Sequence, residues 1–413
     1  MNNTEIRSQL ALATDIINRV RDSFESVITT EAEFDTALAS SAVTINVSPE
    51  FTYSKPLVIN RLVNINNASL LSSSIARANF TDKQPVFSGG MIVQAQVTGY
   101  GLEIHGTADS VLNINGAVGP RFTQCKILGD TNKRGIRANG GNMAFIGCYI
   151  AGFKRIGQDT QAIFTSDMTA PGLLVDNCYI EAAGENFMAG GEDPSQESHI
   201  PSLITFRNCD FSKDPNWYAL GIQLKNTFEL KNAKGVQVLN CRMKYSGGIS
   251  EGQASAFFVF TPRNQSTTAP YSTIEDVLVK DCICDIGGAC IVMQGSDNNV
   301  GHPSRTMKNV MFDNIHFTNI DPLGITKGTG RAFTFLRAPE NITLQNITVG
   351  GKLKAAGYLI APAPVKLTLK NIKVPTSTYD WKIDAGLSGI PAWKTLMPDS
   401  TIEVTLADTG STI

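Results

Sequence analysis

The sequence predicts an all-β protein, a single-stranded right-handed parallel β-helix with three sheets per coil, preceded by a short helical segment and closed by a C-terminal cap. Three observations predict it. Nine short segments align on one position, held by Cys125, Cys148, Cys178, Cys209, Cys241 and Cys282 and then by Ile315, Ile347 and Ile372, each with an apolar residue two positions on. An Asn or Asp stands immediately before that residue at 177, 208, 240, 281, 314, 346 and 371. A second strand type (GIRANG, AIFTSD, NFMAGG, TFELKN, AFFVFT, CIVMQG, AFTFLR, GYLIAP) recurs in step with the first.

The aligned residues are separated by 23, 30, 31, 32, 41, 33, 32 and 25 positions. A coil needs only its strand residues, so insertions collect in loops and the period varies. Apolar and polar residues alternate within each segment, as in Ile204, Phe206 and then Cys209, Phe211, which is strand periodicity broken by one bend. Asn and Asp suit that bend because they tolerate left-handed backbone and bond to neighbouring backbone. Stacked about 4.8 Å apart, their side chains also reach one another. Such an asparagine ladder resembles the pectate-lyase-like β-helices, and the resemblance covers most of the chain.

The elements follow in order. Residues 1–41 form the N-terminal segment: Ile6, Leu10, Ala13, Ile17, Val20, Phe24 and Val27 recur at steps of four and three, a seam for coiled-coil association or for packing on the solenoid's open end. Thr30 and Glu33 then have capping-box spacing before Phe34 and Leu38. The β-helix occupies 42–375. Residues 376–413 depart from the repeat and are expected to cap it or to trimerise, since an open β-helix end exposes unpaired strand edges.

With 42% hydrophobic and 17% charged residues, the 413-residue chain has ample core. Its 35 basic and 37 acidic residues nearly cancel, giving a net charge of -2 and no signature of a nucleic-acid binder. No run of eighteen apolar residues occurs and no basic, then apolar leader opens the chain, so neither a membrane span nor a signal peptide is expected. Six of the eight cysteines share one inward register, where parallel Cβ vectors oppose disulfides; free thiols are expected, and folding in a reducing cytoplasm. His105, His199, His302 and His316 are scattered, and no metal or cofactor is predicted.

Alternation in the first sheet, with Ile136, Ile163, Phe187, Phe228, Phe257, Cys290 and Phe333 taken as inward, predicts one outward column of Arg137, Phe164, Met188, Glu229, Phe258, Ile291 and Thr334. A second holds Asn139, Ser166, Gly190, Lys231, Phe260, Met293 and Leu336. The early half would then be polar and open to a ligand. The later half would be apolar and covered by another subunit.

Glycan hydrolysis needs two carboxyl groups roughly 5 to 10 Å apart, one holding its proton. Glu229 is the expected acid or base, with Glu185 as its partner. Glu181, Lys231, Arg263, Arg137, Glu192 and Asp193 are the expected ligand contacts. The competing reading of Glu229 and Lys231 is an ion pair on the sheet surface or at a subunit interface. Tyr179, Trp217, Tyr218 and Tyr271 stand on loops or strand ends where they could stack on sugars.

The trimerising seam, the β-helix without a leader and the reduced cysteine column together resemble a bacteriophage tailspike. EAAGENFMAGG, NTFELKNAKGV and TPRNQ are similar to a widespread group of bacterial and phage β-helix proteins. The resemblance implies a homotrimer in the virion tail, assembled in the host cytoplasm, that recognises a host cell-surface polysaccharide and contacts other tail proteins through its N-terminal segment. It leaves open whether the glycan is also cleaved. The alternatives are a non-catalytic tail or baseplate adaptor built on a trimeric β-helix, and a free polysaccharide lyase.

Overall fold

A computed structural model of the chain describes residues 27–69, 77–78, 81, 83–248, 255–384, 386 and 388–407. The β-helix is present as read. Among the described residues, twelve strands from Leu57–Ile59 to Trp381–Ile383 stack into the first sheet. The second and third sheets meet at the asparagine bend and form one continuous ladder from Thr44–Val47 to Thr401–Ala407. Neighbouring strands pair in parallel throughout, for instance Ile163 beside Phe187 and Phe187 beside Phe228.

The bend residues Asn177, Asn208, Asn240, Asp281, Asn314, Asn346 and Asn371 all have φ between 51° and 57°. Asn240 Nδ2 donates to Asn208 Oδ1 at 2.8 Å, and Asn371 Nδ2 to Asn346 Oδ1 at 2.9 Å. A second left-handed column, not anticipated, runs through Asp276, Asn309 and Asn341 and is bonded in the same way at 2.9 and 2.8 Å. All eight cysteines are free and buried. Thiols of the column donate to backbone carbonyls, such as Cys148 Sγ to Phe122 O, and burial pushes the Cys148 and Cys178 thiols well up.

Both ends are plugged by aromatics. Helix Glu31–Ala39 has the expected capping box: Thr30 Oγ1 accepts from Glu33 N, and Glu33 Oε2 accepts from Thr30 N. The helix drops Phe34 onto Phe51, Tyr53 and Phe87, with ring centroids 5.0 to 5.6 Å away. The seam residues Ile6 to Phe24 lie outside the described residues; Val27, its last member, is exposed. At the other end the ladder continues past 375. Trp381–Ile383 adds a strand to the first sheet, Thr401–Ala407 pairs with Val365–Pro375, and helix Ile390–Leu396 between them buries Trp393 against Trp381. The segment 376–407 is thus a further coil with a helical plug inserted in it.

A long-range contact ties the first coils to later ones. Between strands Val63–Asn67 and Val86–Phe87 the chain makes an excursion whose Arg77 bonds to Asn177 O at 3.0 Å and to Asn208 O at 3.1 Å, and pairs with Asp210. Ala78 N donates to Gly147 O.

The first sheet does not alternate simply. In each coil two outward residues flank two inward ones: Arg134 and Arg137, Gln161 and Phe164, Glu185 and Met188, Asn226 and Glu229, Ala256 and Val259, Ala289 and Val292. Phe257 and Phe258 are therefore both in the core, as are Cys290 and Ile291. The register agrees, with Phe228 beside Phe258 and Phe258 beside Ile291. This corrects the expectation of an apolar outer half. Phe258, Phe260, Ile291 and Met293 point inward, and the outward residues there are the small cluster Ala256, Val259, Ala289 and Val292. The chain's own segment Asp321–Gly330 packs on that edge: Gly248 N donates to Lys327 O, and Thr326 crowds Gly247 and Gly288.

Candidate functional site

The polar half of the outward first sheet spans five coils, from strand Ser110–Val118 to strand Phe228–Leu230. One wall is the loop 190–201 that follows the sheet; the other is the loop 213–227 that precedes it. The expected residues divide into an accessible group and a buried one.

The accessible group centres on Glu192. Its two oxygens each accept from an arginine at 2.7 Å, Arg134 to Oε1 and Arg137 to Oε2, and Ser166 Oγ donates to Oε2 at 3.2 Å. Arg134 lies 4.0 Å over the Phe164 ring, which fixes the guanidinium plane. The Glu192 and Arg137 side chains remain 38% and 31% exposed, so both can meet a ligand. Arg134 was not anticipated. Its position three residues before Arg137, matching the outward spacing of the other coils, is the signal that would have found it.

The buried group contains Glu185 and Glu229. Glu185 has no exposed surface; it accepts from Gln161 at 2.8 Å and pairs with Lys225 at 3.2 Å. Glu229 is 4% exposed, pairs with Lys231 at 3.1 Å and accepts from Asn226 Nδ2 at 2.8 Å. Its neighbours across the ladder are Met188 and Val259, not Phe258. Burial pushes the Glu229 carboxyl up, but Lys231, Lys225 and Asn226 outweigh it and hold the group below its ordinary value. Burial also opposes the charge of Lys225, and Glu185, Glu229 and Asp159 overcome it. The two glutamates are thus brought together through one lysine. A glutamate with no exposed surface cannot touch substrate, and a carboxylate held ionised is a poor proton donor, so this pair is built as an ion network.

Beneath it lies Lys213, missed from sequence. Its ammonium is fully buried and donates to Ala182 O, Gly184 O, Asn186 Oδ1 and Asn226 O. Burial pushes it down to about 7 against the pull of Glu185 and Glu181.

The remaining expected contacts are staples between loops. Asp193 accepts from Ser266 N, Thr268 N and Thr268 Oγ1, tying loop 190–201 to the loop two coils on. Arg263 pairs with Asp297 at 2.9 Å, and Asp297 also accepts from Asn264 N. Tyr271 OH donates to Pro194 O and Tyr218 OH to Tyr245 O, so neither hydroxyl is free. Trp217 packs into a small core with Ala183, Ile222 and Leu224. Glu181 sits apart, on the third sheet. It accepts from Tyr179 OH at 2.8 Å beside the Tyr149 and Tyr179 rings, stacked at 4.8 Å. Burial above all, with the Asp214 charge, raises its carboxyl despite the Tyr179 and Gly152 hydrogen bonds. A carboxyl raised in this way is suited to hold a proton, unlike that of Glu229.

Ser195, His199 and Asp167 meet, but His199 Nδ1 faces both Asp167 Oδ1 at 3.0 Å and Ser195 Oγ at 2.9 Å. A nucleophilic triad needs the serine and the acid on opposite ring nitrogens, so the group is a turn-stabilising cluster. Among the described residues no three His, Cys, Asp or Glu side chains converge as a metal site.

No protein-family model and no curated protein matches the sequence. Solved structures do. The catalytic domain of a GH87 α-1,3-glucanase aligns over 94% of this chain and 69% of its own, with TM-score 0.59 and 11% identity. The Dettilon tailspike protein aligns over 91% and 65%, with TM-score 0.40 and 12% identity. An alginate lyase from Paenibacillus sp. aligns over 86% and 98%, with TM-score 0.31 and 10% identity. At such identities the likeness is one of architecture. The ladder topology and the likeness to the glucanase domain together give this chain the right-handed parallel β-helix fold.

Proposed function

We propose that the chain is a tailspike-like, glycan-binding β-helix that holds a host cell-surface polysaccharide along the outward polar strip of its first sheet, as a homotrimer in a virion tail. The observation that carries the reading is the strip itself. It crosses five coils, a length of about 19 Å at the strand spacing of a sheet, and it stops where the outward residues become Ala256 and Val259. A strip that long fits several sugars in a row rather than one, and its accessible head, Glu192 between Arg134 and Arg137, presents fixed acceptors and donors for hydroxyls. The glucanase likeness supports a carbohydrate role by analogy of fold. The amphipathic seam from Ile6 to Val27 supports the trimer.

Binding rather than cleavage is the activity favoured here, because Glu185 is sealed and Glu229 is ionised. The test is retention of fluorescent protein on an array of bacterial capsular and O-antigen polysaccharides. At least one should be retained, and Arg137→Ala with Glu192→Ala should weaken it at least about tenfold while circular dichroism shows the β-helix still folded. Retention of none, or retention indifferent to both substitutions, would overturn the reading. Light scattering at the mass of a single chain would overturn the trimer.

A further inference from the structure

The late half of the first sheet carries a second polar cluster, on the same outward face as the strip and three strand spacings beyond its end, about 14 Å. It is built on the strands Arg331–Leu336, Ala355–Ile360 and Trp381–Ile383, where Thr334 pairs with Tyr358 and Tyr358 with Lys382. Arg331, three residues before Thr334, keeps the outward spacing of the earlier coils. Its guanidinium lies 3.5 Å from the centre of the Tyr358 ring, and that ring is itself anchored, because Tyr358 OH donates to Asp384. Lys382 Nζ stands 5.7 Å from the same ring and 4.8 Å from that of Tyr379, which is 54% exposed. The charge of this cluster sets it apart from the strip. There, Arg134, Arg137, Lys225 and Lys231 each have a carboxylate partner. Among the described residues, neither Arg331 nor Lys382 is in an ion pair. Burial holds the half-buried Arg331 guanidinium below its ordinary value, and the pull of Tyr358 and Asp384 does not make up the loss. An arginine laid flat on an anchored ring keeps the edge of its fork for an anion, and the chain itself supplies none.

We propose that this cluster is a second ligand site, for a hexose that carries a carboxylate or a sulfate. Arg331 and Lys382 take the anionic substituent, Arg331 through two parallel hydrogen bonds, and the exposed Tyr379 ring takes the apolar face of the sugar. Two cations stand against the one carboxylate, Asp384, that acts on Arg331, so the cluster is positive and a neutral sugar leaves that charge unmatched. The proposal rests on the carbohydrate reading above and adds that the polymer carries an acidic residue. The strip, with its arginines and lysines matched, holds the neutral residues, and Ala256, Val259, Ala289 and Val292 form the apolar stretch between the two.

The experiment is saturation-transfer NMR on the full chain with glucuronate, galacturonate and glucose 6-sulfate as probes and glucose as the neutral control. At least one acidic sugar should receive saturation on its ring protons, with a dissociation constant in the millimolar range, and glucose should receive far less. Arg331→Gln and Lys382→Gln, each shown by circular dichroism to be folded, should weaken that binding at least about tenfold, and added salt should weaken it in the wild type. Lys382 is the less embedded of the two, so its variant carries the test if Arg331→Gln does not fold. The variant with both Arg137→Ala and Glu192→Ala should keep the acidic-sugar signal. Signal kept there with no polysaccharide retained by the wild type would sink the strip reading alone. No transfer to any of the three acidic sugars, equal transfer to glucose, or transfer unchanged in Lys382→Gln would overturn the present proposal and leave the strip standing.

Discussion

Replacing Lys213 by Met should change not only how stable the β-helix is but how its stability depends on pH. The unfolded lysine ionises near 10.5, whereas burial brings the folded one down to about 7. The folded state therefore binds this proton less tightly than the unfolded state. Stability must rise as pH climbs from about 7 to about 10.5, at up to 1.36 kcal/mol per pH unit for this single group. Over that window the lysine alone contributes about 5 kcal/mol of pH dependence, an upper bound set by full burial. Methionine, similar in length and uncharged, removes that dependence. It also leaves Ala182 O, Gly184 O, Asn186 Oδ1 and Asn226 O without their donor, at about 1 to 3 kcal/mol for each acceptor that finds no other partner. Below about pH 7 these losses are offset by removal of a buried charge; at pH 10 they are not. Guanidinium midpoints of wild type and Lys213→Met at pH 6.5, 8 and 9.5 give the comparison, and the difference between them isolates Lys213 from the other titrating groups. The gap should widen in favour of wild type as pH rises. A gap that stays constant would show that the ammonium is solvated or fully compensated, and the burial argument would be wrong.

Three further outcomes are expected. Phe258→Ala should cost about 3 to 5 kcal/mol, because the ring packs on Phe228 and Phe312, whereas Val259→Ala one position on should cost about 1 kcal/mol; equal costs would contradict the two-inward register. Tyr179→Phe should raise the Glu181 carboxyl further, since the lost hydroxyl donates to its ionised form, and a carbon-detected NMR titration that shows no rise would break the assignment of that hydrogen bond. Ellman's reagent should find no reactive thiol in the native protein and all eight after denaturation; native reactivity of any cysteine in the column would place it outside the core.

The parts of the fold legible in the sequence are those that every coil must repeat. Asn208, Asn240 and Asn371 are read correctly because the bend demands φ near 50° in coil after coil, and only Asn, Asp or Gly meet that demand cheaply. Cys125 to Cys282 are legible because one inward slot of fixed size recurs. The first sheet was misread at Phe258 and Ile291 because strict alternation assumes one residue per face. Two consecutive apolar residues, Phe257 and Phe258, gave no sign of which was inward until the spacing of Arg134 and Arg137 or Asn226 and Glu229 was applied to them. At the site, Arg137, Glu229 and Lys231 are legible as outward charges of the first sheet. Lys213 and Lys225 were not, because they come from an irregular loop and their roles depend on contacts with neighbouring coils, which no local pattern encodes.

The clasp at Arg77 alters what kind of object this solenoid is. A stack in which each turn touches only its neighbours can fray one turn at a time from an open end, and its stability is a sum of nearest-neighbour terms. Here a side chain from the second turn grips Asn177, Asn208 and Asp210, 100 to 133 residues downstream, and Ala78 grips Gly147 on the way. The N-terminal turns cannot peel away singly while that grip holds, so this stretch should melt and exchange its amides as one block. A protein pulled at its N-terminal end would then meet resistance at this lateral strap before its first turns could open.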